Sequence, residues 1–262
     1  MFNIINKRNI FFAISLIVFI IGGICFGING GLNTDIDFTG GTAIYVDLGT
    51  EYDEPAIRKA VDDVEGVTVS SVQRTDENSA VIKTTSIDTE LRAKVTEALT
   101  AQFKDSTILS VDNVSANVGK ELWSNAALSI CIAVILMLIY ITFRFEVLSG
   151  ISAILALTHD MLAMISIYAI FRFPVNTSFI AAILTILGYS INATIVVFDR
   201  IRENTRFLKK ESFGEIVNKS IWQTMGRSIN TTITTLLTIV MVYILGVPSI
   251  RDFALPLIVG IV

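Results

Sequence analysis

The sequence predicts a polytopic membrane protein, a six-helix transmembrane bundle whose sixth helix is truncated, with one polar α+β domain placed between its first two spans. Three observations lead there. The 262 residues are 52% hydrophobic and only 17% charged, an apolar excess that one water-soluble core of this size does not hide. The excess is uneven, since residues 30–120 hold 16 Asp and Glu against 8 Lys and Arg, a local net charge of −8. Outside that block, apolar runs recur at the length a helix needs to cross a hydrocarbon layer of roughly 30 Å, about 20 residues.

The runs cover 10–29, 124–142, 148–171, 178–198, 228–247 and 252 onward. The chain therefore divides into an N-terminus with the first span (1–29), a polar domain (30–120), and a bundle of spans two to six (121–262) with a polar loop at 199–226. The last run ends at Val262 after about half a crossing, which predicts that the natural chain continues further. Lys7 and Arg8 before an apolar stretch also occur in secretory signal peptides. No small-x-small cleavage site precedes Asn33–Asp37, so the first run is taken as a retained span.

Basic residues in short loops stay on the cytoplasmic side of a membrane. Lys7 and Arg8, Arg144, and then Arg200, Arg202, Arg206, Lys209, Lys210 and Lys219 fall in alternate loops, against only Arg172 and Arg251 on the other side. The predicted N-terminus is thus cytoplasmic and residues 30–120 are extracytoplasmic.

Within that domain the pattern reads strand (42–48), helix (54–61, with Pro55 near its first turn), strands (67–74 and 80–85), helix (88–103) and strand (107–114). The second helix places Leu91, Val95, Ala98 and Leu99 on one face. The order β-α-β-β-α-β is the split pattern of ferredoxin-like domains. Its carboxylates sit mostly on predicted helix faces and turns, as a solvated acidic surface does, and no His or Cys accompanies them.

The whole chain offers no metal cluster, phosphate loop or activated nucleophile, so no enzyme, metal or cofactor is expected. Its basic residues outside the domain flank spans, which leaves no nucleic-acid footprint. Cys25 and Cys131 each lie in an apolar run, where a thiol serves as a small hydrophobe rather than half of a disulfide.

A charged side chain in hydrocarbon costs about 2.5–3.5 kcal/mol even on the lenient insertion scale, so ionisable residues within spans are functional candidates. Asp160 lies about halfway along the third span with His159 beside it. Neighbouring helical residues point about 100° apart, so the two need not pair, and a histidine hydrogen-bonded to another helix is the structural alternative for His159. In the fifth span Arg227, Asn230, Thr231, Thr234 and Thr238 make one polar stripe, which should face protein or water. Gluing of helices by Thr and Asn, and snorkelling of Arg227 to the membrane edge, are its structural alternatives.

Several segments together carry a resemblance: Asp37-Phe38-Thr39-Gly40-Gly41-Thr42 after the first span, Thr158-His159-Asp160 in the third, Gly188-Tyr189-Ser190-Ile191-Asn192 and Phe198-Asp199-Arg200-Ile201-Arg202-Glu203-Asn204 in the fourth, and 227–234 in the fifth. In this order, over essentially the whole chain, they resemble the SecF proteins of the SecD/SecF family, within the resistance-nodulation-division superfamily. The resemblance implies a six-helix subunit with one external domain that pairs with SecD. It also implies work beside the SecYEG channel and the SecA ATPase on unfolded preprotein in the bacterial cytoplasmic membrane, drawing on a proton or sodium gradient. A scaffold that stabilises the translocon, or a small-molecule exporter of the superfamily, is the alternative.

By the same resemblance Arg227 matches an arginine implicated in ion transport, where it would hold a nearby carboxylate ionised. The family pattern Gly-Tyr-Ser-Ile-Asn-Asp ends here in Ala193, which cannot carry a proton. Three outcomes follow from that. The carboxylate comes from the partner with Asp160 assisting, or another ion such as sodium is used, with Asn192, Tyr189 and Thr185 near one face to coordinate it, or export is supported without coupling. Asp199, Arg200, Arg202 and Glu203 are candidates for docking toward SecY or SecA, against the ordinary outcome of ion pairs on a solvated helix. Gly40 and Gly41 permit a tight or positive-φ turn, or, more sharply, a hinge for the external domain.

Overall fold

The computed structural model describes residues 3–75, 78–145, 147–208 and 210–262. Lys209, counted above among the cytoplasmic basic residues, lies outside them. The chain forms two compact units, Met1–Asn33 with Leu128–Val262, and Thr34–Ala127.

A 3-10 turn (Ile5–Lys7) leads into α1 (Arg8–Ile28); a short α2 (Ile36–Thr39) precedes β1 (Gly41–Asp47), α3 (Glu54–Asp62), β2 (Val69–Arg74), β3 (Ser79–Thr84), α4 (Thr89–Gln102) and β4 (Thr107–Val114). Then come α5 (Ala116–Arg144), α6 (Val147–Phe171), α7 (Thr177–Phe207), α8 (Phe213–Leu245) and α9 (Pro248–Ile261). Among the described residues five helices are long and apolar enough to cross a membrane, and each coincides with a predicted span. The sixth run forms α9, 14 residues long.

The helices start where local chemistry allows it. Asn176 caps α7 by accepting from the Phe179 amide at 2.9 Å, and Ser212 with Glu215 closes a reciprocal capping box on α8. In the helical unit α1 packs on α6, and α7 packs on both α8 and α9. Close approach rests on small residues. A Cβ on Gly22 would come within 2.7 Å of Ser166 Oγ on α6, and one on Gly260 within 2.9 Å of Ile186 Cγ1 on α7. Large apolar side chains such as Phe12 and Leu136 stay exposed, which water would penalise and lipid does not.

The second unit is an antiparallel sheet of order β2-β3-β1-β4, the arrangement of a ferredoxin-like domain. Alternation along the strands sorts its two faces. Ile44 on β1, paired with Ile82 on β3, turns into a core with Val46, Ile57 and Val61, where Val95 and Leu99 of α4 complete the packing; Leu91 is partly buried. The adjacent positions Ala43 and Val81 pack with Ile36 of α2 on the other face. Tyr52 locks the loop before α3, donating to the Ser79 carbonyl at 2.9 Å with the Arg74 guanidinium 4.7 Å from its ring centre. Burial pushes its phenol pKa up, with Arg74 opposing.

Lys83, on the α2 face of β3, forms an ion pair with Asp35 in which both side chains are nearly sealed, 9% and 5% exposed. Asp35 also accepts from the Ile36 amide at 2.8 Å, so one carboxylate both starts α2 and neutralises a buried ammonium. Removing one partner of such a pair strands a buried charge. Lys83→Ala is expected to destabilise this domain by about 3–5 kcal/mol. Urea-dependent proteolysis of the full chain measures it, and an unchanged midpoint would refute the role.

Candidate functional site

Two polar clusters lie within the helical unit, and α7 carries side chains of both. The first is a cavity of about 250 Å³ between α7 and α8. Tyr189, Asn192, Ala193 and Val196 follow one another at helical spacing on its α7 side. From α8 come Arg227, Ser228, Thr231, Thr232, Thr234 and Thr235. The threonine hydroxyls turn back onto their own helix: Thr231 donates to the Arg227 carbonyl at 3.0 Å, Thr234 to Asn230 at 3.0 Å and Thr235 to Thr231 at 2.8 Å. That satisfies each proton and leaves the oxygen lone pairs free as acceptors. Tyr189 bridges the helices, its hydroxyl 3.4 Å from Thr232 Oγ1. Among the described residues the cavity has one charged group, Arg227, and no carboxylate.

The predicted stripe is only part of this wall. Asn230 and Thr238 stand exposed on α8 outside the cavity lining, and so does Thr185 on α7, whose hydroxyl donates to the Ala181 carbonyl at 2.9 Å. Thr232, Thr235 and Ser228 were not among the sequence candidates. The threonine doublets at 231–232 and 234–235 were the available signal, since paired hydroxyls widen a stripe to both of its flanks.

The second cluster centres on Asp160 of α6. Ser190 on α7 donates to Asp160 Oδ2 at 2.5 Å, and His159 Nδ1 lies 3.1 Å from Oδ1, so the two neighbours do pair despite their angular separation. His159 Nε2 lies 2.8 Å from Ser15 Oγ on α1, and its ring meets Phe19 edge-on at 5.4 Å. The cluster thus ties α1, α6 and α7 together. Asp160 and His159 do not line the Arg227 cavity. Ser190 is the link sequence inspection passed over, because a serine in an apolar helix most often bonds its own backbone.

In the second unit, the 37–42 segment passes from the end of α2 through Gly40 into β1. Gly40 has φ +78°, and a Cβ there would come within 2.8 Å of the Ala116 amide nitrogen. One on Gly41 would lie 2.5 Å from the Thr84 carbonyl oxygen, while Phe38 meets Trp123 edge-on at 5.1 Å. Thr39 donates to the Asp35 carbonyl at 3.1 Å, and Thr42 is buried in β1, its hydroxyl accepting from the Ile87 amide at 3.3 Å. At the other end of α7, Asp199 lies 3.6 Å from Arg144, and Arg200 bridges Glu203 at 2.6 Å and Gln223 at 2.8 Å. Arg202 lines a separate groove.

Residues 94–262 match the family described as "Protein export membrane protein SecD/SecF, C-terminal". The chain belongs to the SecD/SecF family. It is a multi-pass membrane protein and an auxiliary protein translocase subunit. It is 37% identical to the protein translocase subunit SecF of Anaerolinea thermophila, over 100% of this chain and 88% of that one. To the SecDF of Bacillus subtilis it is 39% identical, over 98% of this chain and 35% of that longer protein. The crystal structure of SecDF from Thermus thermophilus, called a translocon-associated membrane protein, superposes with a TM-score of 0.86 at 32% identity, over 99% of this chain and 36% of that chain. The chain therefore spans about a third of the SecDF proteins it matches.

The Arg227 cavity and the Asp160–His159–Ser190 part of the second cluster fall inside the matched segment, while Ser15, Phe19 and the glycine turn lie outside it, although the SecF relative aligns over 100% of this chain. For the turn, the packing above favours a locked junction. Gly40→Ala, where only glycine is at ease, is expected to cost about 1–3 kcal/mol. The amount of folded protein in the membrane should then fall while export per folded molecule stays near normal. Normal protein levels with lost export would instead establish a hinge.

Proposed function

We propose that the chain is the SecF half of a SecD-containing assembly that couples an ion gradient to late stages of protein export. One observation carries the reading: the polar cavity beside Arg227 has no carboxylate among the described residues and opens on a face of α8 where Arg227, Asn230, Thr231 and Thr234 stay exposed. Polar groups left so on a membrane span call for a covering partner. The fused SecDF relatives, of which this chain spans about a third, supply the kind of partner that fits, a SecD half.

In this mechanism the partner's carboxylate faces Arg227. The guanidinium stays charged and holds the carboxylate ionised until a proton arrives. Protonation removes the attraction, the two halves shift, and the movement reaches the extracytoplasmic domain, which acts on unfolded preprotein emerging from SecYEG after SecA has pushed it. Asp160, held by Ser190 and His159 on another face of α7, braces the helices during the shift. The chain makes and breaks no covalent bonds itself. Its N-terminus is cytoplasmic and residues 30–120 are extracytoplasmic, in the bacterial cytoplasmic membrane. Ala193 favours a second reading, a scaffold without ion coupling; a sodium-driven subunit is the variant that the hydroxyl-rich wall would suit.

Reconstitution with the SecD partner and SecYEG decides among them. Export is expected to rise with a proton gradient, and Arg227→Gln to reduce that gain about tenfold, the loss of about 1.4 kcal/mol of electrostatic coupling. Asp160→Asn should lower assembly more than gradient response. Dependence on sodium alone would shift the reading to the sodium variant, and indifference to both gradients would leave the scaffold. Ala193→Asp, placing a second carboxylate opposite Arg227, is expected to change the pH dependence of export.

A further inference from the structure

At the arginine-rich end of the helical unit a groove of about 810 Å³ opens between the end of α5, the start of α6, the end of α7 and the start of α8. Arg144, Arg202 and Arg206 line it, and among the described residues no carboxylate does. Arg144 is engaged, 3.6 Å from Asp199 and 5.3 Å from the Phe145 ring centre. Arg202 and Arg206 have no hydrogen-bond or ion-pair partner among the described residues. The walls are apolar: Phe143, Leu148 and Phe213 are 88%, 74% and 68% exposed, and Phe145 packs edge-on against Phe198 at 6.0 Å.

This pairing of groups is specific. Unpaired guanidinium forks match the oxygens of a phosphodiester. They sit where the apolar runs of α5 and α7 give way to polar sequence, which is the headgroup level of a bilayer. Phe143 directly precedes Arg144 at the end of the α5 span and Leu148 opens the α6 span, so both exposed side chains belong to membrane-spanning helices, where acyl chains run. With Arg144 paired to Asp199, the guanidinium groups of Arg202 and Arg206, without a partner among the described residues, leave positive charge that a zwitterionic headgroup does not neutralise. An acidic protein segment would meet the charges but has no use for a wall of exposed phenylalanine and leucine at this depth. We propose that the groove binds an anionic phospholipid, its phosphate held by Arg202 and Arg206 and its acyl chains laid along Phe143 and Leu148.

The test uses the full chain in neutral detergent, titrated with phosphatidylglycerol or phosphatidylcholine and read by native mass spectrometry. Two arginine–headgroup contacts, each worth about fivefold near a membrane surface, predict a preference for phosphatidylglycerol of about 25-fold. R202Q/R206Q should abolish the preference, and R202K/R206K should keep most of it. Ser152→Trp, which fills the groove without touching its charge, should lower phosphatidylglycerol binding to the level of the glutamine variant. Equal binding of the two lipids by the unmodified chain would overturn the proposal, as would an undiminished preference in either R202Q/R206Q or Ser152→Trp. Full competition by soluble glycerol phosphate would reduce the site to a free-phosphate site. If R202Q/R206Q lost association with SecYEG in phosphatidylcholine nanodiscs while its lipid preference stayed intact, the groove would be a protein dock. Should the glutamine variant fail to fold, the lysine and tryptophan variants still decide the matter.

Discussion

A polar side chain inside a bilayer has no water to bond, so it must find its partner in its own helix or in a neighbour, and the helical unit is organised around that constraint. Helix α7 shows it most clearly. Ser190 is satisfied by Asp160, Tyr189 reaches across to Thr232, and Thr194 turns back to the Ser190 carbonyl at 3.1 Å. The threonines of α8 do the same within their own backbone. Arg227 nevertheless stays exposed on α8, beside the exposed Asn230, and the functional reading grows from that remainder.

The sheet domain obeys the opposite solvent rule. Its strands hide apolar side chains on both faces, most deeply around Ile44 and Ile82, and its helices α3 and α4 close one side. The buried Lys83–Asp35 pair is the exception that organises the other face, because a sealed ammonium tolerates only a sealed carboxylate opposite it. Asp35 belongs to the segment that enters the domain just after α1, so the same interaction that fixes the sheet also fixes the glycine turn at 40–41.

Ala193 separates the chain from the expected family pattern at a position that lines the cavity. The cavity is formed, Arg227 lines it, and Tyr189 bridges its two walls, yet among the described residues no carboxylate lines it. Asp160 does not replace it, since its oxygens are already engaged by Ser190 and His159 away from the cavity. The proposal of a second half that covers this face starts from that exposed, arginine-lined wall.

Apolar run length alone determined the spans, because crossing hydrocarbon sets a length that few other folds demand, and all five long helices fall on predicted runs. Alternation and turn residues likewise determined the order of the sheet domain, which the strand pairing β2-β3-β1-β4 completes. Candidate residues such as Tyr189, Asn192, Arg227 and Thr231 were legible too, since polar groups at helical spacing stand out against an apolar background. What only the tertiary structure decided was which of them meet. Ser190 with Asp160, Thr232 with Tyr189, and Lys83 with Asp35 are contacts between elements far apart in the chain, and helical spacing carries no information about which neighbour a face will find.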